Sequence, residues 1–184
     1  MLRGKLQKIR IKQLLREDKK AKSTSFFFRK EGEVFNYKHI NFLESYYKKE
    51  KKDIRICLHT KKNAKHHDMI ILQQQKNFYS PHKHLRKGET YHIIKGSMAC
   101  VLFSEKGKIN SICKLKKNDI FRTPINKFHT MIPLSKFVIY HESKTGPFLK
   151  NKDSVFSKWS KELTNNKSYI KNIKTKVFKA LKNE

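Results

Sequence analysis

The residues best suited to chemistry lie in one short segment, PHKHLRKGETYHIIKG, Pro81 to Gly96. Successive side chains of an extended chain point to opposite faces, so His82 and His84 face the same way and set two imidazoles side by side. The interval from His84 to Glu89 is long enough for a turn into the next strand, and Gly88 gives that turn backbone freedom. A carboxylate is thereby brought to face the histidine pair. A second segment, NDIFRTPINKFHTMIP, carries His129 five residues after Pro124, on a strand placed to return antiparallel beside the first pair. Three neutral imidazoles and one carboxylate suit one divalent transition metal (Fe, Mn, Ni or Zn), with one or two positions left for water or substrate. His82, His84, Glu89 and His129 are therefore the expected metal ligands.

Other polar residues are candidates for the surrounding pocket. Arg55, Cys57 and His59 alternate with Ile54, Ile56 and Leu58, so one face of this strand is polar and the other apolar. The polar face is either a pocket wall, where Arg55 would bind a substrate carboxylate or phosphate, or an exposed edge. Tyr91 shares the face of Glu89 and either lines the pocket or packs in the core. Arg122 shares strand parity with Pro124 and is expected to look inward. Arg55, His59, Tyr91 and Arg122 are thus the expected substrate contacts. His92 falls on the face opposite Glu89, His66 and His67 sit in a polar turn open to solvent, and Cys100 and Cys113 lie among core residues. Trp159 is expected to anchor the C-terminal segment.

The elements that must position these groups are short strands. IRICLH, DMIILQQQ, YHIIKG, MACVLFSE, KINSICKL and KFVIYHES are β-branched or aromatic and closely spaced between turn formers, the pattern of an all-β sandwich or barrel. SEKGK reads as a hairpin turn with Gly107 at a positive-φ position. Residues 1–22 have approximate helical spacing, and Asn41 to Lys51 form a short helix. At the other end, Ile170, Ile173, Val177, Phe178 and Leu181 line one face of a basic amphipathic helix, which is expected to pack on the barrel or on a partner subunit. The expected division is a basic helical extension over 1–52, the β domain over 53–150, and a C-terminal segment over 151–184.

Composition narrows the class. The 184 residues fit one domain with extensions, and the odd count of three cysteines matches no disulfide framework, which implies a reducing compartment. No run is long and apolar enough to span a bilayer, and a cytoplasmic location is expected. The net charge of +29 favours anionic ligands, yet only 7 of the 44 basic residues are Arg. Geometric recognition of phosphates favours the Arg fork, and richness in Lys, Asn and Ile together marks a bias toward A/T-rich codons. Nucleic-acid binding through the Lys-rich tails stays open as a subordinate reading.

His82-x-His84, Glu89, Gly96, Pro124 and His129 resemble the two sequence motifs of the cupin superfamily. The departures are Lys76 in place of a leading Gly, and Asn118 and Asn126 in place of two further glycines; Asn substitutes well at positive φ. Over Asp53 to Trp159, the segments RICLH, HHDMIIL, PHKHLRKGETYHIIKGSMACVLFSEKGKI, TPINKFHTMIPLS and ESKTGPF are similar to the WbuC family of cupin-fold metalloproteins. That resemblance implies a cupin double-stranded β-helix, or jelly-roll barrel, and a role in bacterial surface polysaccharide biosynthesis; the helical N- and C-terminal extensions expected around it come from the residue spacing alone. A metal-bound small anionic or sugar-type substrate and a homodimer are expected. Isomerase, epimerase and oxygenase chemistry stay open, beside a non-catalytic sugar-binding or regulatory module.

Overall fold

The computed structural model describes residues 11, 13–21, 23–149 and 153–182. Among the described residues the elements with full bounds follow in the order β1 (Leu15–Glu17), β2 (Thr24–Phe28), α1 (Tyr37–Glu50), β3 (Ile54–Cys57), β4 (His66–Gln74), β5 (Glu89–Lys95), β6 (Ser97–Phe103), β7 (Ile109–Lys116), β8 (Ile120–Arg122), β9 (Phe128–Pro133), β10 (Phe137–Thr145), α2 (Lys158–Thr164) and α3 (Lys167–Ala180). One sheet has the order β1-β2-β3-β4-β10-β5-β8 and the other β7-β6-β9. A bridge between His82 and His129 adds the segment after β4 to the free edge of β9.

Counting eight successive strand segments from β4, with the His82 bridge as the second, gives one sheet of first, eighth, third and sixth and another of second, seventh, fourth and fifth. That interleaving is the double-sheet jelly roll of the cupin type. β3, β2 and β1 extend the first sheet beyond β4. The sheets remain open at their edges, so the barrel is a sandwich with helices on both outer faces.

Three apolar layers hold it together. Tyr91, Ile93, Met98, Cys100, Leu115, Met131, Val138 and Tyr140 fill the space between the sheets. On the outer face of the larger sheet, Phe42, Leu43 and Tyr47 of α1 cover Ile54, Ile56, Leu72 and Ile139. On the outer face of the smaller sheet, Ile173, Val177 and Leu181 cover Val101, Phe103 and Ile132. Strands buried on both faces read as continuous apolar runs, which explains why DMIIL, MACVLF and FHTMIP show no alternation. Each fully buried aliphatic side chain contributes about 1.5–3 kcal/mol of transfer free energy.

Local chemistry sets the boundaries. The Asn36 side chain accepts from the Lys38 backbone N–H, and His39 Nδ1 accepts from that of Asn36, closing the first turn of α1. α1 is the crossover that lets β2 and β3 pair in parallel. Asn118 and Asn126 adopt φ of 75° and 60°, the turn conformation for which Asn replaces Gly. Trp159 stacks over Gly107, where a Cβ would come within 2.8 Å of the indole, and its Nε1 donates to the Glu105 carbonyl at 2.8 Å.

The first 52 residues carry the expected helical structure, at residues 11, 13 and 14 and in α1, and add two strands to it. Residues 1–10, where most of the expected first helix falls, lie outside the described residues. Leu15–Glu17 is a strand pairing with Thr24–Phe28, because the run Phe26, Phe27, Phe28 serves two buried faces at once. Phe28 packs toward α1, and Phe27 joins Cys57 and Met69.

His67 differs from expectation, being buried within β4 and not solvated in a turn. Its ring stacks on His59 at 4.2 Å, and Phe27 meets His59 edge-on at 5.4 Å. Burial, assisted by the neighbouring His67, lowers His59 from 6.5 to about 4. Below pH 6.5 the unfolded chain takes up a proton that folded His59 refuses until about pH 4, so stability falls as pH drops through that window. His59→Asn keeps an acceptor for the Asp68 backbone N–H and removes this titration. Urea midpoints measured across the window should fall less steeply in the variant than in the wild-type chain.

Candidate functional site

The segment after β4 and strand β9 exchange a pair of backbone hydrogen bonds, His82 N–H to the His129 carbonyl at 3.1 Å and His129 N–H to the His82 carbonyl at 2.9 Å. This sets two imidazoles on neighbouring chains. His84 follows on the same side as His82, and Glu89 opens β5 on the facing sheet. Thr123 Oγ1 accepts from the Glu89 backbone N–H at 3.0 Å. Gly88 works here by close approach and not by unusual φ, since a Cβ would sit 3.0 Å from the Thr123 carbonyl. One potential ligand atom from each of His82, His84, Glu89 and His129 lies within 4.8 Å of the others.

The protons on the rings decide what the cluster wants. Nδ1 of His82, His84 and His129 meets the backbone carbonyls of Ser80, Asp153 and Lys127, and a carbonyl only accepts. Each neutral ring therefore carries its proton at Nδ1 and presents a lone pair at Nε2, the arrangement that orients metal-binding histidines. His84 Nε2 is 2.9 Å from Glu89 Oε1 yet lacks hydrogen-bond alignment, while His129 Nε2 is 3.0 Å from Oε2. A lone pair facing a carboxylate oxygen at that distance is repelled unless a cation or a proton lies between them. The residues present thus fit a divalent metal.

The electrostatics of His82 agree, while those of His84 reflect the carboxylate beside it. Burial lowers His82 to about 4, with Glu89 offsetting part of that, so the ring stays neutral as a ligand must. Burial acts on His84 in the same direction, but the adjacent Glu89 carboxylate outweighs it and raises the group. Burial alone would push Glu89 up; the Lys144 charge and the contacts with His129 and His84 hold it well below the usual carboxylate range. Lys144 Nζ reaches Glu89 Oε1 at 2.7 Å and Glu142 Oε1 at 3.0 Å. Tyr91 donates to Glu89 Oε2 at 2.6 Å.

The cluster forms one end of a cavity of about 210 Å³ lined by His82, Glu89 and His129 together with Arg55, Tyr91, Tyr140, Glu142 and Lys144. Arg55 and Tyr91, two of the expected substrate contacts, line this cavity. His59 does not, being stacked on His67, and Arg122 is exposed on β8 beside Gly88. β8 is an edge strand whose side chains alternate about an open sheet end, and the Arg122 face turns outward.

Sequence reasoning missed Lys144, Glu142, Tyr79 and Asp53. Tyr140, Glu142 and Lys144 alternate along β10, which would have marked an inward polar stripe. Ile139, buried against α1, hid that alternation.

Two open sheets in jelly-roll order, with a three-histidine, one-glutamate cluster between them, define a cupin-fold protein with a site able to hold a metal. Among family models, a domain of unknown function, DUF6016, matches residues 44–115, under half of the chain. No curated protein matches the sequence. Among solved structures, an oxalate decarboxylase of Bacillus subtilis is 15% identical over 50% of this chain and 24% of its own, with a TM-score of 0.43. CapF, solved with the inhibitor 3-isopropenyl-tropolone, is 14% identical over 53% of this chain and 30% of its own, with a TM-score of 0.45. KdgF from Halomonas sp. is 16% identical over 52% of this chain and 80% of its own, with a TM-score of 0.42. This chain spans less than a third of the length of the first two, and the fold assignment rests on its own strand order.

Lys144→Met keeps the aliphatic stem but leaves the buried Glu89 carboxylate with less positive charge. In chelator the variant should lose about 3 kcal/mol of unfolding free energy in urea. Manganese or zinc should restore more stability to it than to the wild-type chain, because the ion replaces the missing charge.

Proposed function

We propose that this chain binds one divalent transition metal (Fe, Mn, Ni or Zn) through His82, His84, Glu89 and His129 and acts on a small anionic or sugar-type substrate in the adjoining cavity. The observation that carries this reading is the convergence of Nε2 lone pairs and one buried carboxylate at the end of a cavity that also holds an arginine. A bound metal supplies Lewis acidity toward a hydroxyl, carbonyl or carboxylate. The chain's own residues do the rest. Backbone carbonyls hold the rings, Tyr91 and Lys144 fix Glu89, and Arg55 offers charge to an anionic group.

The resemblance of Asp53 to Trp159 to the WbuC family supports a place in bacterial surface polysaccharide (lipopolysaccharide or O-antigen) biosynthesis, in the cytoplasm. Among the described residues no helix is long and apolar enough to cross a membrane. Exposed Ile120 on edge strand β8 supports a homodimer. The open reaction classes are isomerisation, epimerisation and oxygenation. A second reading is a non-catalytic, metal-stabilised sugar-binding or regulatory module, favoured by the way Lys144 already neutralises Glu89 as a structural centre.

Elemental mass spectrometry of the purified chain should find near one equivalent of a transition metal, lost in both His82→Ala and His129→Ala. Folded wild-type protein free of metal after growth in metal-supplemented medium would overturn the metalloprotein reading. Ligand binding without turnover across a sugar panel would select the module over the enzyme. Deleting the gene in its host should alter the surface polysaccharide, and an unchanged polysaccharide would remove that role.

A further inference from the structure

The cavity holds two cations, and they are not equivalent. Lys144 is held between Glu89 and Glu142, so its charge is matched within the protein. Arg55 is different. Its Nε donates to Ser25 Oγ at 2.6 Å, and among the described residues no carboxylate forms an ion pair with it. Ser25 is itself buried and fixed by donating to the Ser23 carbonyl at 3.0 Å, so the guanidinium of this cavity-lining residue is oriented through its Nε edge, and among the described residues its terminal nitrogens have no hydrogen-bond partner. A planar fork held in this way matches a carboxylate with two parallel hydrogen bonds.

The remaining walls limit what that anion can be. Asp53, Glu89 and Glu142 line the same cavity, and their negative charge opposes a dianion such as a phosphate monoester more than a monoanion. They are also acceptors. Glu142 is tied to Lys144 through Oε1, which leaves Oε2 without a protein partner among the described residues and able to accept from hydroxyls. Arg55 on β3 pairs across to Ile71 on β4, Ile71 to Tyr140 on β10, and Lys144, further along β10, to Glu89 on β5. Arg55 and the histidine cluster therefore sit on well-separated strands facing one cavity. Its volume of about 210 Å³ is below the roughly 300 Å³ at which pockets for drug-sized ligands begin.

From this geometry we infer that the ligand is a polyhydroxy monocarboxylate of monosaccharide size, with its carboxylate on Arg55 and its hydroxyl-bearing end toward His82, Glu89 and His129. Ser25 is a positioning residue for the guanidinium. The inference rests on the proposed site and narrows its substrate to the sugar-acid class, excluding an entire sugar nucleotide from the cavity.

Calorimetric titration of the metal-supplemented chain with glucuronate, galacturonate and gluconate, beside glucose, galactose and glucose 6-phosphate, tests it. At least one sugar acid should bind tenfold or more tightly than its neutral parent and than the phosphate. Arg55→Met should abolish that preference, Arg55→Lys should keep part of it, and Ser25→Ala should weaken it, all with thermal midpoints near that of the wild type. Equal binding of acid and neutral sugar, tighter binding of the phosphate, no sugar-acid binding at millimolar concentration, or an unchanged preference in Arg55→Met would each overturn the assignment. Metal content measured on the same samples separates the two claims. Metal bound without a carboxylate preference sinks the ligand class alone, whereas an Arg55-dependent preference in protein that takes up no metal sinks the metal site alone.

Discussion

A carboxylate buried between two sheets sets the terms for everything around it. Glu89 is 2% exposed, and an ionised carboxylate removed from water to that degree survives only with positive charge and hydrogen bonds brought to it. The chain supplies these through Lys144 on β10 and Tyr91 on β5, while His129 on β9 and His84 before the turn bring ring nitrogens that could hold a cation against the carboxylate. Each depends on a different part of the jelly roll. The fold is thus less a container for the site than the set of backbone pairings that lets β9, β10 and the segment before the turn converge on one carboxylate of β5.

Convergence also explains the layering. Groups directed inward from both sheets need sheets that cannot slide, because a one-residue slip in register would turn His129 or Lys144 outward. The outer faces prevent this, with α1 clamping the larger sheet and α3 the smaller through apolar contacts. Trp159 fixes the chain entering the C-terminal helices against the β6–β7 turn, where Gly107 leaves room for the indole. The carbonyl of Asp153, just before those helices, holds the His84 ring. Packing at the C-terminus therefore reaches the site through one hydrogen bond.

How much of this was legible in the sequence follows from which signals a strand carries. The spacing of His82, His84, Glu89 and His129 is short-range, and ligand residue types at such intervals announce themselves. The hairpin glycine and the positive-φ asparagines were equally local. Lys144 and Glu142 were not legible, because the outward residues of β10 change from apolar Phe137 and Ile139, packed toward α1, to polar His141 and Ser143, so polarity does not mark one face where the two charges sit. β1 and β2 were hidden for a related reason: a run of three phenylalanines has no period, and a parallel strand pair needs a crossover that no local pattern reveals. Parity failed for His59, which lies beyond the end of β3, and for Arg122, whose face of β8 turns outward. Parity says which face a side chain takes, while the identity of the neighbouring strand decides whether that face is pocket, packing or edge.

The contrast between the two cavity cations follows from that constraint on Glu89. A lysine forms a compact point charge on a flexible stem, suited to sitting between two carboxylates, and Lys144 does so. An arginine can be fixed through one nitrogen and still present a fork, and Arg55 is fixed in this way by Ser25. Exchanging them would fail in both directions: a guanidinium is broader than an ammonium at the crowded contact with Glu89, and an ammonium held by Ser25 would lose the two-pronged edge. The charge that stabilises the cluster and the charge without an ion-pair partner among the described residues are thus separated by residue type and by strand. A ligand can then engage Arg55 without removing the compensation on which the buried carboxylate depends.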